Sequence, residues 1–434
     1  MTRQELLNLG TNNPRAQEFL PNLKILFVSP SLSVQADAPL NSITRAAAIK
    51  SAGADVELLA YPEKYPLSGT TMPCPYRSVL GSQSPLVKNL WSFWRSRLGT
   101  AWLFIIEPFL VKRASYKIAR REKFDIICMH HAEPWILLPM VVFLKFFKRY
   151  TPTCVVLPMA FTGKKVPQNL PWRTKTRGAL NARCAKRLAE HVHIICENSH
   201  YAGALDIAGH RNLHIIPEGY ANRINSYSQK DARRKLGIDA DKRMVLLFGV
   251  ASKAKGADLL IRALEEVPPA FLVYIVGQTG GVYESSWGSL NRLQETGWKE
   301  NLRIVSRFIP EDEMELYFSA TDACIFPYRY GFSTISSNLR QAGEMGKAVL
   351  ASDQYHFTDI VKKYNVGMLF EPENVPALAR CLREFSQKPD EWFAEIRRNS
   401  ERLVQERSWK TVGGEYVSLF KSVLAGCPSE VEHS

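Results

Sequence analysis

The chain is short of several features that would fix its class at once. None of its eight cysteines (74, 128, 154, 184, 196, 324, 381 and 427) forms a CxxC pair, and several sit inside apolar runs such as "DIICMH" and "HIICEN". That argues against a disulfide framework or a zinc site and for reduced, buried thiols in a cytoplasmic protein. The first residues, "MTRQELLNLGTNNPRAQEFLPN", have no apolar core of signal-peptide length. The best span candidate, "WILLPMVVFLKFF" at 135–147, contains Pro139 and Lys145 and falls short of the roughly 20 apolar residues a membrane helix needs. No solenoid-period repeat is present. No GxGxxG follows the first strand-like run, "KILFVSP", which disfavours a Rossmann dehydrogenase. Acids are missing over one long stretch: Lys145 to Ala189 carries eleven Lys and Arg and no Asp or Glu.

What is present fits two domains. The chain has 434 residues and is 46% hydrophobic, enough for two full cores. Its net charge is +14, concentrated in the first half, where Lys88 to Lys123 adds nine Lys and Arg against two acids. Such a field suits an anionic substrate, an anionic membrane face or nucleic acid. The stretch 90–121 mixes Trp91, Trp94 and Trp102 with those cations. A basic helix bearing Trp can lie in a lipid interface, aromatics with cations can follow a single strand of nucleic acid, and plain helix packing with a solvated basic face is the third reading. Nucleic acid is the least favoured of the three. The expected location is the cytoplasm, soluble or peripheral on the inner face of the membrane.

Short apolar runs alternate with helical patterns along both halves. Strands are expected at 24–30, 56–60, 125–129, 154–158, 193–198 and 213–217, with helices at 41–53, 134–148, 174–190 and from Ser199. The second series places strands at 244–249, 271–277, 302–306, 323–327 and 348–352, and helices at 256–266, 287–298 and 311–320, with another inside 331–346. Three helical segments, near 374–387, 390–407 and 409–425, end the chain. Alternation of this kind predicts an α/β fold with parallel sheets covered on both faces. The expected division is residues 1–217 as an N-terminal domain, 218–242 as a polar connection, 243–388 as a second domain, and 389–434 as C-terminal helices packed back on the first. In doubly wound sheets ligands bind beyond the strand C-termini, so the site is expected in a central cleft that both domains face.

The turn "GFSTISSNLRQAGEMGKAVLASD" at 331–353 sets the functional question. Hydroxylated residues between a strand and a helix either cap the helix or hold an anion against its N-terminus. The surrounding motifs bear on the choice. "LLFGVASKAKGADLLIRAL", with Lys255-Gly256 opening its helix, resembles the donor domain of glycosyltransferase family 4, the group 1 glycosyltransferases. "YIVGQTGG" (274–281), "RIVSRFIPEDEMELYFSATDACIFPYR" (303–329), "QAGEMGKAVLASD" (341–353) and "NVGMLFEPENVPALARCL" (365–382) are similar to further segments of the same family, in the same order. The first half resembles it only in general organisation and in "ENSHYAGALDIAG…LHIIPEG" (197–219).

The resemblance implies a GT-B fold, two doubly wound Rossmann-like domains, with a nucleotide-diphosphate sugar held mainly by the second. It also implies retention of anomeric configuration, no required metal and no cofactor beyond the nucleotide sugar as co-substrate. On the matching positions it implies donor contacts from Gly249, Lys255, Gly277, Arg329, Ser336, Ser337, Asn338 and Gln341; the family's basic loop residue aligns with Ser252, and Lys253 beside it is a further candidate for the phosphates. Lys255 supplies charge against the diphosphate, and the amides of Ser336, Ser337 and Asn338 supply N–H groups. The two glutamates of the family's Glu-x7-Glu motif are missing: alignment on Gly346-Lys347 places Ser333 and Gln341 in their slots, so the resemblance is to a divergent member. Pro327-Tyr328-Arg329 is similar to a branch carrying "PYR" in place of the glutamate motif.

The first domain is less explicit. The family often has a histidine after the strand equivalent to 154–158, where this chain reads "VVLPMAFTGKK". His130 and His131 follow another strand, and His131 with Glu133 is the candidate for acceptor binding or proton transfer. The expected activity is a retaining hexosyl-type glycosyltransferase in glycan, polysaccharide or glycolipid assembly, its partners a nucleotide-sugar donor and a glycan or lipid-linked acceptor. The rivals are a non-catalytic binding or scaffold protein with an eroded acceptor site, and a GT-B nucleotide-sugar epimerase.

Overall fold

The computed structural model describes residues 23–29, 37–60, 73–78, 107–130, 134–147, 149–157, 172–205, 207–222, 226–278, 287–329 and 336–425. Two compact units emerge, one of residues 220–408 and the other of the preceding chain together with 409–434.

The first unit is built on strands that are apolar along almost their whole length. β1 (Lys24–Ser29), β4 (Ile126–His130), β5 (Thr153–Leu157) and β6 (His193–Cys196) are buried except at the first residues of β1 and β6. Burial on both faces is the condition of a parallel sheet with helices on each side. With β2 (Asp55–Ala60), β3 (Tyr76–Ser78) and β7 (Leu213–Ile215) they form a seven-stranded sheet of order β3-β2-β1-β4-β5-β6-β7. Every pairing is parallel, from Ile25 beside Ile126 to Cys196 beside Ile215. The helices are α1 (Asp37–Ser51), α2 (Glu107–Arg121), α3 (Pro134–Phe146), α4 (Trp172–Ala189) and the short α5 (Ser199–Ala204).

The second unit repeats the scheme. Its helices α6 (Gln229–Leu236), α7 (Ala257–Leu264), α8 (Trp287–Gln294), α9 (Trp298–Asn301), α10 (Glu311–Ala320), α11 (Ser337–Glu344), α12 (Tyr355–Tyr364), α13 (Val375–Ser386) and α14 (Asp390–Glu406) surround six strands. These are β8 (Met244–Phe248), β9 (Leu272–Val276), β10 (Leu302–Val305), β11 (Ala323–Phe326), β12 (Ala348–Ser352) and β13 (Gly367–Phe370), ordered β10-β9-β8-β11-β12-β13 and all parallel. Two apolar clusters fill the two faces of the sheet. One gathers Leu260, Phe271, Ile275, Trp298, Leu382 and Phe385, the other Leu246, Phe318, Phe326, Phe357 and Tyr364.

The polar stretch 218–242 contains α6, capped by the Ser228 side chain at its start and by Gly237 at φ 64 at its end. A buried arginine anchors this helix. Arg233 donates to the carbonyls of Ala320, Asp239, Ala240 and Lys242 and pairs with Asp322 at 2.7 Å. Of the three terminal helices, α13 and α14 belong to the second unit, while α15 (Trp409–Ala425) packs on α1 of the first. A Cβ on Gly413 would come within 2.2 Å of the Ala48 carbonyl oxygen, so a glycine is what lets α15 approach α1 this closely.

Candidate functional site at the switch point of the second sheet

β8, β9 and β10 extend the second sheet in one direction and β11, β12 and β13 in the other, so the chain reverses between the adjacent strands β8 and β11. The crevice beyond the strand C-termini at such a reversal is where doubly wound sheets take ligands. The loop after β8 and the helix after β11 therefore meet where the sequence placed Lys255 and the Ser336 turn.

Gly249 is the floor of this region. It adopts φ 96, a value that favours glycine, and a Cβ built there would lie 3.1 Å from Lys255 Nζ and 3.2 Å from Asn338 Nδ2. The ammonium and the side-chain amide thus flank one point above Gly249. Asn338 also ties the two sides together, its Nδ2 donating to the Phe248 carbonyl at 2.7 Å. Lys255 belongs to a single 3-10 turn, Lys253–Lys255, whose N-cap Ser252 accepts from the Lys255 N–H. The Lys255 ammonium stands 5.9 Å from the centre of the Tyr328 ring. Gly277, at φ 133, lies against the Gly249 carbonyl, which a Cβ there would meet at 2.2 Å.

Ser336 is the N-cap of α11. Its side chain accepts from the Leu339 N–H, and its Oγ lies 3.2 Å from Tyr328 Oη. Capping is thus part of what the hydroxyl-rich turn does. Ser337 and Asn338 follow in the first turn of α11, at the positive end of the helix dipole. Ser333 lies outside the described residues.

Three assigned residues take positions the motifs did not disclose. Arg329 makes a two-pronged pair with Asp258 at 2.7 and 2.6 Å and also donates to the Lys253 carbonyl, so its guanidinium clasps the β8 loop to the β11 loop. Each partner shifts the other: the bond to Asp258 raises the Arg329 pKa, while Arg329 holds the Asp258 carboxyl below its usual range against the opposing effect of burial. Lys253 is exposed. Gln341 is buried on α11, its Nε2 donating to Met314 Sδ at 3.4 Å, and its Oε1 has no protein partner.

Asp258 and Gln354 escaped the sequence reading, and Tyr328 entered it only as part of the Pro327-Tyr328-Arg329 motif. Asp258 did carry a signal, an acid in the first turn of a helix. Gln354 carried none: its amide donates to the carbonyls of Tyr328 and Arg329 at 2.8 and 3.1 Å, fixing the path of the chain after β11.

In the first unit His131 and Glu133 lie outside the described residues, as do Trp91, Trp94 and Trp102. The neighbouring His130, at the end of β4, is buried. Its Nδ1 lies 2.8 Å from Ser42 Oγ and its Nε2 3.0 Å from an Arg45 guanidinium nitrogen. Arg45 in turn pairs with Glu197 at 2.5 Å. Burial raises the Glu197 carboxyl above its usual range, and Arg45 pulls the other way.

Comparison with known proteins adds to this geometry. Residues 228–402 match the family described as Glycosyl transferases group 1. Sucrose-phosphate synthase from Thermosynechococcus elongatus superposes with a TM-score of 0.67 at 17% identity, over 93% of this chain and 99% of that one. HepE from Anabaena, solved in complex with UDP and glucose, superposes with a TM-score of 0.65 at 18% identity, over 92% and 100%. The fold is GT-B. Among curated proteins, a D-inositol 3-phosphate glycosyltransferase of Streptomyces coelicolor is 28% identical over 167 residues, 37% of this chain and 36% of that protein. One from Streptomyces avermitilis is 25% identical over 201 residues, 44% and 42%. The chain thus matches less than half the length of these curated relatives.

Proposed function

We propose that this chain is a retaining glycosyltransferase that moves a sugar from a nucleotide-diphosphate sugar to a glycan, polysaccharide or glycolipid acceptor without a required metal. The observation that carries the reading is the convergence of the Lys255 ammonium and the N-terminus of α11 above Gly249. As the glycosidic bond of the donor breaks, negative charge grows on the departing diphosphate. A fixed ammonium and oriented N–H groups stabilise that charge more in the transition state than in the ground state, and most strongly away from bulk water. Gly249 lets the phosphates come close to the backbone, and the Tyr328 ring lies beneath the ammonium.

The Arg329–Asp258 clasp keeps both phosphate-facing loops in place. Gln341 is assigned to the ribose, because it holds the slot of the family's second glutamate and can both donate and accept. Its Oε1 lacks a protein partner, and a ribose hydroxyl is a donor of the right kind once the side chain swings from Met314. Gly277 and Lys253 are assigned to the edge of the same site, and His131 to the acceptor side. The match to group 1 glycosyl transferases over residues 228–402 supports the donor half of this reading. The UDP bound by HepE does so by analogy.

The test is release of nucleoside diphosphate from a panel of nucleotide sugars, with and without acceptors, and with and without a chelator. Acceptor-dependent release that survives chelation is expected. Conversion of the nucleotide sugar with no acceptor would make the chain an epimerase. Nucleotide binding with no turnover in any combination would make it a binding protein.

A further inference from the structure

Parallel strands joined by crossover helices impose a geometry. Each helix leaves the strand C-terminal edge and ends at the strand N-terminal edge. α3 packs against both α2 and α4, so the C-termini of all three helices gather at one edge of the first unit, opposite its strand C-termini. There α3 ends in a cluster of rings left in water. Phe143, Phe146 and Phe147 are 57%, 80% and 50% exposed, with centroid separations of 4.7 Å for Phe143–Phe147 and 5.2 Å for Phe146–Phe147. Single exposed apolar residues are ordinary, whereas touching exposed rings mark a contact surface.

Cations lie at the same helix ends. Lys145 and Arg149 are exposed on the same segment, Arg120 lies at the end of α2, and Arg187 lies at the end of α4. Cations at helix C-termini are favourable to the helix dipole in any protein, so the charges alone say little. The rings have no such explanation. Glu122, the acid at the end of α2, is taken up by Arg77 and Arg121 at 2.7 and 2.6 Å, and Glu190 follows α4.

We propose that this edge docks on an anionic lipid bilayer, with Phe143, Phe146 and Phe147 entering the interface and the flanking cations meeting the headgroups. Charge complementarity selects that occupant: at or just after the ends of α2, α3 and α4 stand Arg120, Arg121, Lys123, Lys145, Arg149, Lys186 and Arg187, against Glu122, Asp125 and Glu190. A second copy of this chain would bring two positive edges together, which disfavours self-association. Among the described residues no helix is long and apolar enough to cross a membrane, so the contact is peripheral. The rings belong to a different stretch of sequence from Trp91, Trp94 and Trp102. Docking here turns the strand C-terminal edge of the first unit away from the bilayer, and the inference does not depend on the donor-site reading.

The experiment is flotation of the full chain with vesicles of phosphatidylglycerol mixed with phosphatidylcholine, and with phosphatidylcholine alone. The natural chain is expected to float with the anionic vesicles and to be released by salt. Replacing all three rings (Phe143→Ser, Phe146→Ser, Phe147→Ser) should lower the bound fraction about tenfold, since interfacial binding scales with buried apolar area. Lys145→Gln with Arg149→Gln should weaken binding to the anionic vesicles alone. Circular dichroism melting identifies any variant that fails to fold, and the charge variant then stands in for the ring variant. No flotation of the natural chain, or equal flotation of the folded ring variant, overturns the proposal. A dimer that the ring variant dissociates, with no vesicle binding, assigns the rings to a second copy and overturns it as well.

Discussion

At the residue scale, the second unit was legible wherever chemistry is local to a motif. Lys255 and Asn338 were singled out because a lysine-glycine pair after one strand and a hydroxyl-rich helix start after another are local patterns, and the structure brings their side chains to one point above Gly249. Arg329 shows the limit. Its motif position was visible, but its bond to Asp258 joins residues 71 apart in sequence, and nothing short of the fold reports that. Gln354 is less visible still, because it acts on backbone carbonyls. Gln341 supplies a prediction at this scale. Gln341→Ala should weaken nucleoside-diphosphate binding by about 1–2 kcal/mol, the size of one or two neutral hydrogen bonds. Calorimetry on the variant checks it, and unchanged affinity would remove Gln341 from the ribose.

At the element scale, long apolar runs announced the buried strands. α10 and β12 have the expected ends, because a Pro-acid start and a continuous apolar run are unambiguous. The helix expected over 287–298 is two helices, α8 and α9, parted near Gly297. β3 went unread because it is three residues with Arg77 at its centre, and β13 because it opens on Gly367 between polar stretches. α6 went unread because its hold on the sheet is the polar reach of Arg233 and not an apolar stripe.

The pairing of β6 with β7 yields a pH prediction. His193 Nδ1 lies 3.0 Å from His214 Nε2, and the rings stack at 5.2 Å. Burial, with His193 beside it, pushes the His214 pKa down from 6.5 to about 4. The folded state therefore holds fewer protons than the unfolded state between those values. Its stability is full above about pH 6.5, falls as pH drops through that window and levels off near 4. The loss by pH 5 should be about 1–2 kcal/mol. Urea unfolding of the first unit at neutral pH and at pH 5 measures it. His214→Gln should shrink the difference between the two, and a variant with the full difference would sever the histidine pair from the effect.

At the scale of the whole molecule, one architecture occurs twice: two parallel sheets, each reversing direction beside its first strand. The alternation of strands and helices carried this, and the five motif segments pointed to the second unit. The first unit's chemistry stayed hidden because its candidate histidine sits in no family motif, and because its buried Arg45–Glu197 pair joins residues 152 apart. The central claim is that Lys255 stabilises a departing diphosphate. The most direct measurement is turnover of Lys255→Ala with a working donor and acceptor, set beside its affinity for the nucleoside diphosphate. Loss of one electrostatic stabiliser predicts a fall in turnover of about 100-fold or more, roughly 3 kcal/mol, with a smaller fall in affinity. Lys255→Arg should rescue poorly, because a planar fork does not replace a compact charge. Wild-type turnover in Lys255→Ala would contradict the account and leave the hydroxyl-rich turn as a helix cap alone.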